Sequence, residues 1–140
     1  MELILNDKLT HNLLELYDKL SSWEHEIVRK SEITLSQMHT LEVIGLYGSS
    51  KMRLLADKLG VTTGTVTVMV ATLEKKGLII KENDPDDTRS IIISLTEKGY
   101  QYYSEHHKYH HDLIDNVSSV LTDDEIKRIN TILEKINKQL

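Results

Sequence analysis

The chain has 140 residues, with 17 lysines and arginines against 22 aspartates and glutamates, a net charge of −5, and 39% hydrophobic residues. That mix belongs to a soluble globular protein, and the length suits one domain better than two independent cores. Cysteine is absent, which excludes disulfides, thiolate nucleophiles and thiolate metal sites and leaves His, Asp and Glu as the available metal ligands.

The opening stretch, Met1-Glu2-Leu3-Ile4-Leu5-Asn6-Asp7, has neither the basic leader nor the long apolar run of a signal peptide. No apolar run reaches the about 18 residues of a membrane-spanning helix, so a cytoplasmic protein without a membrane partner is expected. Residues 3–29 place Leu5, Leu9, Leu13, Leu16, Leu20, Trp23 and Ile27 at spacings of three and four, which predicts a long helix. A second, shorter helix follows, capped by Thr34 or Ser36 and stopped by Gly48-Ser49-Ser50. Ser50 is placed to cap a third helix, from Lys51 to Leu59, that ends at Gly60. Residues 62–76 are rich in β-branched side chains, yet Val66, Met69, Val70 and Leu73 recur at i, i+3, i+4 and i+7. That period, a Thr62 or Thr63 cap and Gly77 as terminator favour a helix over a solvated strand. Leu78-Ile79-Ile80-Lys81 and Ser90-Ile91-Ile92-Ile93-Ser94-Leu95 then read as a β-hairpin joined around Pro85, the only proline. Thr96 to Gly99 opens another long helix to about Val117, and the capping box of Thr122 and Glu125 starts a final one.

The expected fold is thus mainly α, in the order α-α-α-α-β-β-α-α, with a winged helix-turn-helix at its centre. One domain, residues 1–140, is expected, with residues 34–96 as the DNA-binding lobe and residues 1–33 and 97–140 as dimerisation helices. Charge agrees with this division. Residues 51–81 carry Lys51, Arg53, Lys58, Lys75, Lys76 and Lys81 against only Asp57 and Glu74, whereas the flanking segments are acidic. Phosphate, if bound, belongs to that stretch. The second helix of the pair would enter the major groove, where Thr62, Thr63, Thr65 and Thr67 are short enough to approach base edges and thymine methyls. On the wing, Arg89 either enters a minor groove or pairs with Asp87 to hold the loop.

Leu55-Ala56-Asp57-Lys58-Leu59-Gly60-Val61-Thr62, Gly64-Thr65-Val66-Thr67, Leu73-Glu74-Lys75-Lys76-Gly77-Leu78-Ile79, Asp87-Thr88-Arg89 and Leu95-Thr96-Glu97-Lys98-Gly99 together resemble the multiple-antibiotic-resistance-regulator (MarR) family in nearly the whole chain. The resemblance implies a winged-helix repressor, dimeric through its first and last helices, that binds a roughly palindromic operator in double-stranded DNA under control of a ligand or metal. Carried over by motif, Thr63, Thr65 and Thr67 would face bases, Lys51, Arg53 and Lys75 phosphates, and Arg89 the wing's groove. The homodimer has a second argument. The stripe from Leu5 to Trp23 and that of Leu121, Ile126, Ile129, Ile132, Leu133, Ile136 and Leu140 exceed what a three-helix core can cover, unless they form an intrachain bundle.

Four of the 7 histidines fall in Glu105-His106-His107-Lys108-Tyr109-His110-His111-Asp112. On a helix, His107 and His111, or His106 and His110, lie one turn apart on a common face, a spacing that lets two imidazoles share a metal. Similarity to the family's zinc-responsive repressors of metal uptake implies a ligand set of Glu26, His39, His107 and His111. Those repressors have a glutamate where Met38 stands, and their cysteine ligand has no counterpart. Met38-His39-Thr40-Leu41-Glu42-Val43-Ile44-Gly45 and His107-Lys108-Tyr109-His110-His111 are also similar to the family's fatty-acid-synthesis repressors. That likeness implies an acyl chain as corepressor in an interface pocket bounded by the first, second and fifth helices. The remaining reading is that the histidines only pack or solvate. No Gly-rich phosphate loop, nucleophile elbow or His-Glu-x-x-His motif occurs, which argues against an enzyme. A winged helix used only for protein contacts is the other alternative.

Overall fold

The computed structural model describes residues 2–140, with side chains from Ile4 onward; Met1, where the stretch read for a leader begins, lies outside the described residues. The elements are α1 (Glu2–Arg29), α2 (Leu35–Tyr47), β1 (Ser50–Lys51), α3 (Met52–Leu59), α4 (Thr63–Lys75), β2 (Ile79–Asn83), β3 (Ile91–Leu95), α5 (Glu97–Ser118) and α6 (Asp123–Gln139). Two compact units divide the chain, one running through Tyr103 and the other spanning Ser104–Leu140. The stretch 34–96 expected to bind DNA lies wholly within the first.

In the first unit the helix ends obey local chemistry. Thr34, rather than Ser36, caps α2: its Oγ1 accepts the Gln37 N–H at 3.2 Å while the Gln37 amide oxygen accepts the Thr34 N–H at 3.1 Å. Thr62 caps α4 by accepting the Thr65 N–H at 3.2 Å. At the other end of α4, Gly77 takes φ 72°, a left-handed conformation that costs glycine little. The Gly77 and Leu78 N–H groups then reach back to the carbonyls of Glu74 and Leu73 at 2.9 and 3.0 Å, closing the helix in a Schellman motif. The β-branched run therefore folds as a helix because both ends are capped and one face is buried.

One expected cap is corrected. Ser50 does not cap α3; Lys51 stands at that N-cap without a side-chain hydrogen bond, and the Ser50 hydroxyl instead donates to the Gly48 carbonyl at 2.8 Å. Ser50 belongs to β1, which pairs antiparallel with β3 through Ser50↔Ile93 and Lys51↔Ile92. The sheet thus has three strands in the order β1-β3-β2, one more than the sequence pattern indicates. Two residues are too few for a period-2 alternation to register.

The core joins all of these elements. Val66, Val70 and Leu73 of α4 pack with Leu41 and Ile44 of α2, Leu55 and Ala56 of α3, and Leu78, Ile79 and Ile93 from the sheet region. The wing's register runs from Ile79↔Leu95 to Asn83↔Ile91. Thr96 then ties the sheet to α5, donating to the Gly77 carbonyl at 2.6 Å and accepting the Gly99 N–H at 3.0 Å. That closeness leaves no room at Gly99, where a Cβ would overlap the Leu78 carbonyl oxygen.

In the second unit, the Thr122 and Glu125 capping box forms as expected, with bonds of 2.8 and 3.3 Å. Asp123, Asp124 and Glu125 in the first turn of α6 and Lys138 in the last oppose the helix dipole favourably. Ile129, Ile132, Leu133 and Ile136 of α6 are exposed, as are Leu5, Leu9, Leu13 and Leu16 of α1 in the first unit. Among the described residues no single helix is long and apolar enough to cross a membrane.

Gly99→Ala should lower stability to denaturant by about 1–3 kcal/mol, the cost of forcing backbone apart in a packed site. Gly64→Ala is the matched control, because a Cβ there meets only the Thr62 hydroxyl, at 3.8 Å, and should be neutral or slightly stabilising. Equal urea midpoints for native protein and Gly99→Ala would contradict the assignment.

Candidate nucleic-acid interface

Helices α3 and α4 meet at 108°, within the about 90–120° of helix-turn-helix pairs. With Val66, Val70 and Leu73 buried, the opposite side of α4 is exposed, and Thr63, Thr65 and Thr67 lie on its exposed part. Thr62 is exposed too, but its hydroxyl is engaged as the cap and lies 3.0 Å from that of Thr65. Arg53 on α3 and Lys75 at the end of α4 are exposed, leaving both cations accessible to phosphate. A recess of about 400 Å³ borders this face, lined by Thr34, Ser36 and Gln37 from the start of α2 and by Thr65, Val68, Met69 and Thr72.

Lys51 has a partner within the protein. Its Nζ lies 3.2 Å from Asp84 Oδ2, joining the start of α3 to the base of the wing loop. Asp84 is buried; its Oδ1 accepts the Asp86 N–H at 2.9 Å, and its own N–H donates to the Ser90 carbonyl at 2.9 Å. The Asp86 N–H first, and the Lys51 ammonium second, hold the Asp84 carboxyl below its ordinary pKa. Sequence patterning passed over Asp84, although an aspartate directly before a proline is a recognisable turn signal.

Arg89 is exposed at the wing tip. Asp87 shapes this loop through backbone and hydroxyl contacts: its Oδ1 accepts the Arg89 N–H at 3.0 Å and its Oδ2 the Ser90 hydroxyl at 3.3 Å. Among the described residues no ion pair occupies the Arg89 guanidinium. The loop-holding task is therefore met by the backbone of residue 89, and the side chain is left to project.

The expected metal ligands divide between the two units. In the first, Glu26 is exposed, and the α1 carboxylate beside His39 belongs to Glu24, whose Oε1 is 3.5 Å from His39 Nε2. Helical geometry explains the difference: Glu24 lies one turn before buried Val28, whereas Glu26 is rotated about 200° from it. Glu42 adds a second carboxylate oxygen at 3.9 Å from His39. In the second unit, the Nε2 atoms of His107 and His111 are 3.1 Å apart, near the about 3.3 Å expected between two ligands of one tetrahedral zinc. The other pair, His106 and His110, stacks edge to face at 4.6 Å between centroids, with His106 buried.

Residues 33–91 match the MarR family model. That stretch, which runs from just before α2 to the start of β3, is similar to the MarR family. The chain is 28% identical to the HTH-type transcriptional regulator YkoM of Bacillus subtilis, over 96% of this chain and 92% of that one. Its structure is similar to that of Streptococcus pneumoniae FabT in complex with DNA, with TM-score 0.88 and 25% identity over 95% of each chain. It is also similar to an E. coli MarR variant complexed with operator DNA, with TM-score 0.74 and 25% identity over 92% of this chain and 93% of that one. MarR-family regulators bind DNA as dimers, and the relatives matched here are transcriptional regulators rather than enzymes.

The Asp84 contacts carry a pH signature. A depressed folded-state pKa contributes stability above the ordinary aspartate range, and this contribution disappears as pH falls through the lowered value. Asp84→Asn should therefore be less stable than the native chain at pH 7, with the gap in denaturant midpoint closing below about pH 4. A gap that stays constant from pH 7 to pH 3 would contradict the ionised pair.

Proposed function

We propose that this protein is a cytoplasmic transcriptional repressor of the MarR family that binds a palindromic operator as a homodimer under the control of a small effector. The observation that carries this reading is the exposed outer face of α4, set at 108° to α3 and accompanied by a wing whose tip presents Arg89. In this reading Thr63, Thr65 and Thr67 approach base edges, Arg53 and Lys75 meet phosphates, and Arg89 enters a minor groove. Thr62 serves as the cap that orients the helix. Lys51 serves the wing through Asp84, and any phosphate contact it makes competes with that pair.

Homodimerisation uses the exposed apolar rows of α1 and α6, whose burial on a second copy is favourable by about 25 cal/mol per Å² before association costs. A two-fold dimer presents two α4 helices to successive turns of one face of the duplex. An effector acts on this assembly only through different affinities for its DNA-competent and DNA-incompetent states, and the sign of that difference decides between corepression and induction.

The electrostatic part of this reading has a direct measure. Fluorescence anisotropy with duplex DNA over a series of salt concentrations should give steeply salt-dependent binding, and Arg53→Ala, which removes one phosphate contact from each protomer of the dimer, should reduce the log–log slope by about 2. Salt-independent binding, or none, would favour the interaction-module reading of the winged helix.

Zinc is the first effector to test, because the His107 and His111 nitrogens stand at a separation that suits two ligands of one ion. Metal-stripped protein should compete with a chromophoric chelator for zinc, and a His107→Ala, His111→Ala double variant should lose that competition. Failure of the native chain to compete would remove zinc and leave an acyl chain or other hydrophobic ligand as the effector class.

A further inference from the structure

Building on the DNA-binding reading, we propose that α4 reads the 5-methyl groups of thymine in the major groove and that Val68 is the centre of this contact. The line of α4 opposite buried Val66, Val70 and Leu73 runs through Gly64, Val68, Ala71 and Lys75, at i, i+4, i+7 and i+11. Val68 therefore sits at the middle of the outward face, with Thr67 on one side and Thr65 and Thr72 on the other. Val68 is 69% exposed. A solitary exposed valine would carry no meaning; its neighbours give it one.

The flanking hydroxyls are all turned onto the helix. Thr67 donates to the Thr63 carbonyl at 2.7 Å, Thr72 donates to the Val68 carbonyl at 3.1 Å, and the Thr65 and Thr62 hydroxyls are bonded to each other at 3.0 Å. The Thr67 and Thr72 bonds hold those hydroxyls against the backbone, and the Thr65 hydroxyl is held on that of Thr62, so the polar atoms are engaged within the helix and the methyls carry no such bond. Between Thr63 and Leu73 the helix carries no Asn, Gln, Arg or Lys, the side chains that make bidentate bonds to adenine or guanine. What this face offers a groove is a strip of methyl groups. The apolar feature that distinguishes one base from the others in the major groove is the thymine 5-methyl.

Two further features suit close approach. Gly64, one turn before Val68, adds no side chain, and the space a Cβ would take there is open except for the Thr62 hydroxyl at 3.8 Å. Lys75, at the far end of the same line, is exposed and can meet a phosphate at the groove edge. Burial of one methyl group corresponds to about a fourfold gain in affinity, so several thymines per site add up to useful discrimination.

The test uses the full chain and a duplex that it selects from a randomised pool. Thymines of the selected half-sites are then replaced singly by deoxyuridine, which removes the methyl and leaves the hydrogen-bonding edge intact. Anisotropy titrations should show about a fourfold weakening for the native protein at one or more thymines. The same replacement should cost little in Val68→Ala, and Thr67→Ser, which keeps its hydroxyl bond, should lose discrimination at an adjacent thymine. Circular dichroism confirms that each variant keeps its helices. Selected sites that tolerate deoxyuridine without loss would overturn methyl readout while leaving DNA binding intact. An equal deoxyuridine penalty in native protein and both variants would overturn the assignment to Val68 and Thr67. Failure to select any sequence above bulk duplex would overturn the DNA-binding reading itself.

Discussion

The DNA-reading face proposed for this chain depends on how firmly α4 is held. Val66, Val70 and Leu73 are fully buried, and their contacts with α2, α3 and the sheet fix the rotation of the helix about its own axis. A helix so fixed has a defined outward face, and small polar or apolar groups on that face can address a groove only if the rotation does not wander. The caps serve the same end. Thr62 at the start and the Gly77 Schellman closure at the end satisfy backbone groups that would otherwise need water or a partner, so the helix is complete before any DNA arrives.

The same economy governs the wing. Asp84 gathers the Asp86 N–H, the Lys51 ammonium and, through its backbone, the Ser90 carbonyl, which ties the base of the loop to the start of α3. Asp87 then arranges the tip through the Arg89 backbone. The guanidinium is thereby separated from the task of building the loop, and a surface arginine on a shaped loop loses less freedom on binding than one on an unstructured tip. Two of the acids that by charge alone argue against phosphate, Asp84 and Asp87, are engaged in internal contacts.

Much of this was legible in the sequence, for reasons that can be named. The i, i+3, i+4, i+7 pattern of Val66, Met69, Val70 and Leu73 overrode the strand preference of its β-branched neighbours, and the Thr122–Glu125 capping box forms as its spacing requires. Strand β1 was not legible, because a two-residue strand exists only through its partner β3. Ser50 looked like a cap for the same reason, its local chemistry being compatible with either role. At the metal-ligand candidates, motif alignment favoured Glu26, and helical phase places Glu24 beside His39. On α4, the sequence pattern pointed to the threonines for both base edges and thymine methyls, and the intrahelical hydroxyl bonds that bring Val68 into consideration beside them are visible only in three dimensions.

The most direct test of the account is a hydroxyl-radical footprint of the full chain on a duplex it has itself selected. Two α4 helices and two wings held by one dimer should protect a two-fold symmetric pattern, with the centres of its half-sites about one helical turn, or 10 base pairs, apart. A single asymmetric patch, or uniform protection without half-site spacing, would contradict the claim that paired recognition helices read this DNA.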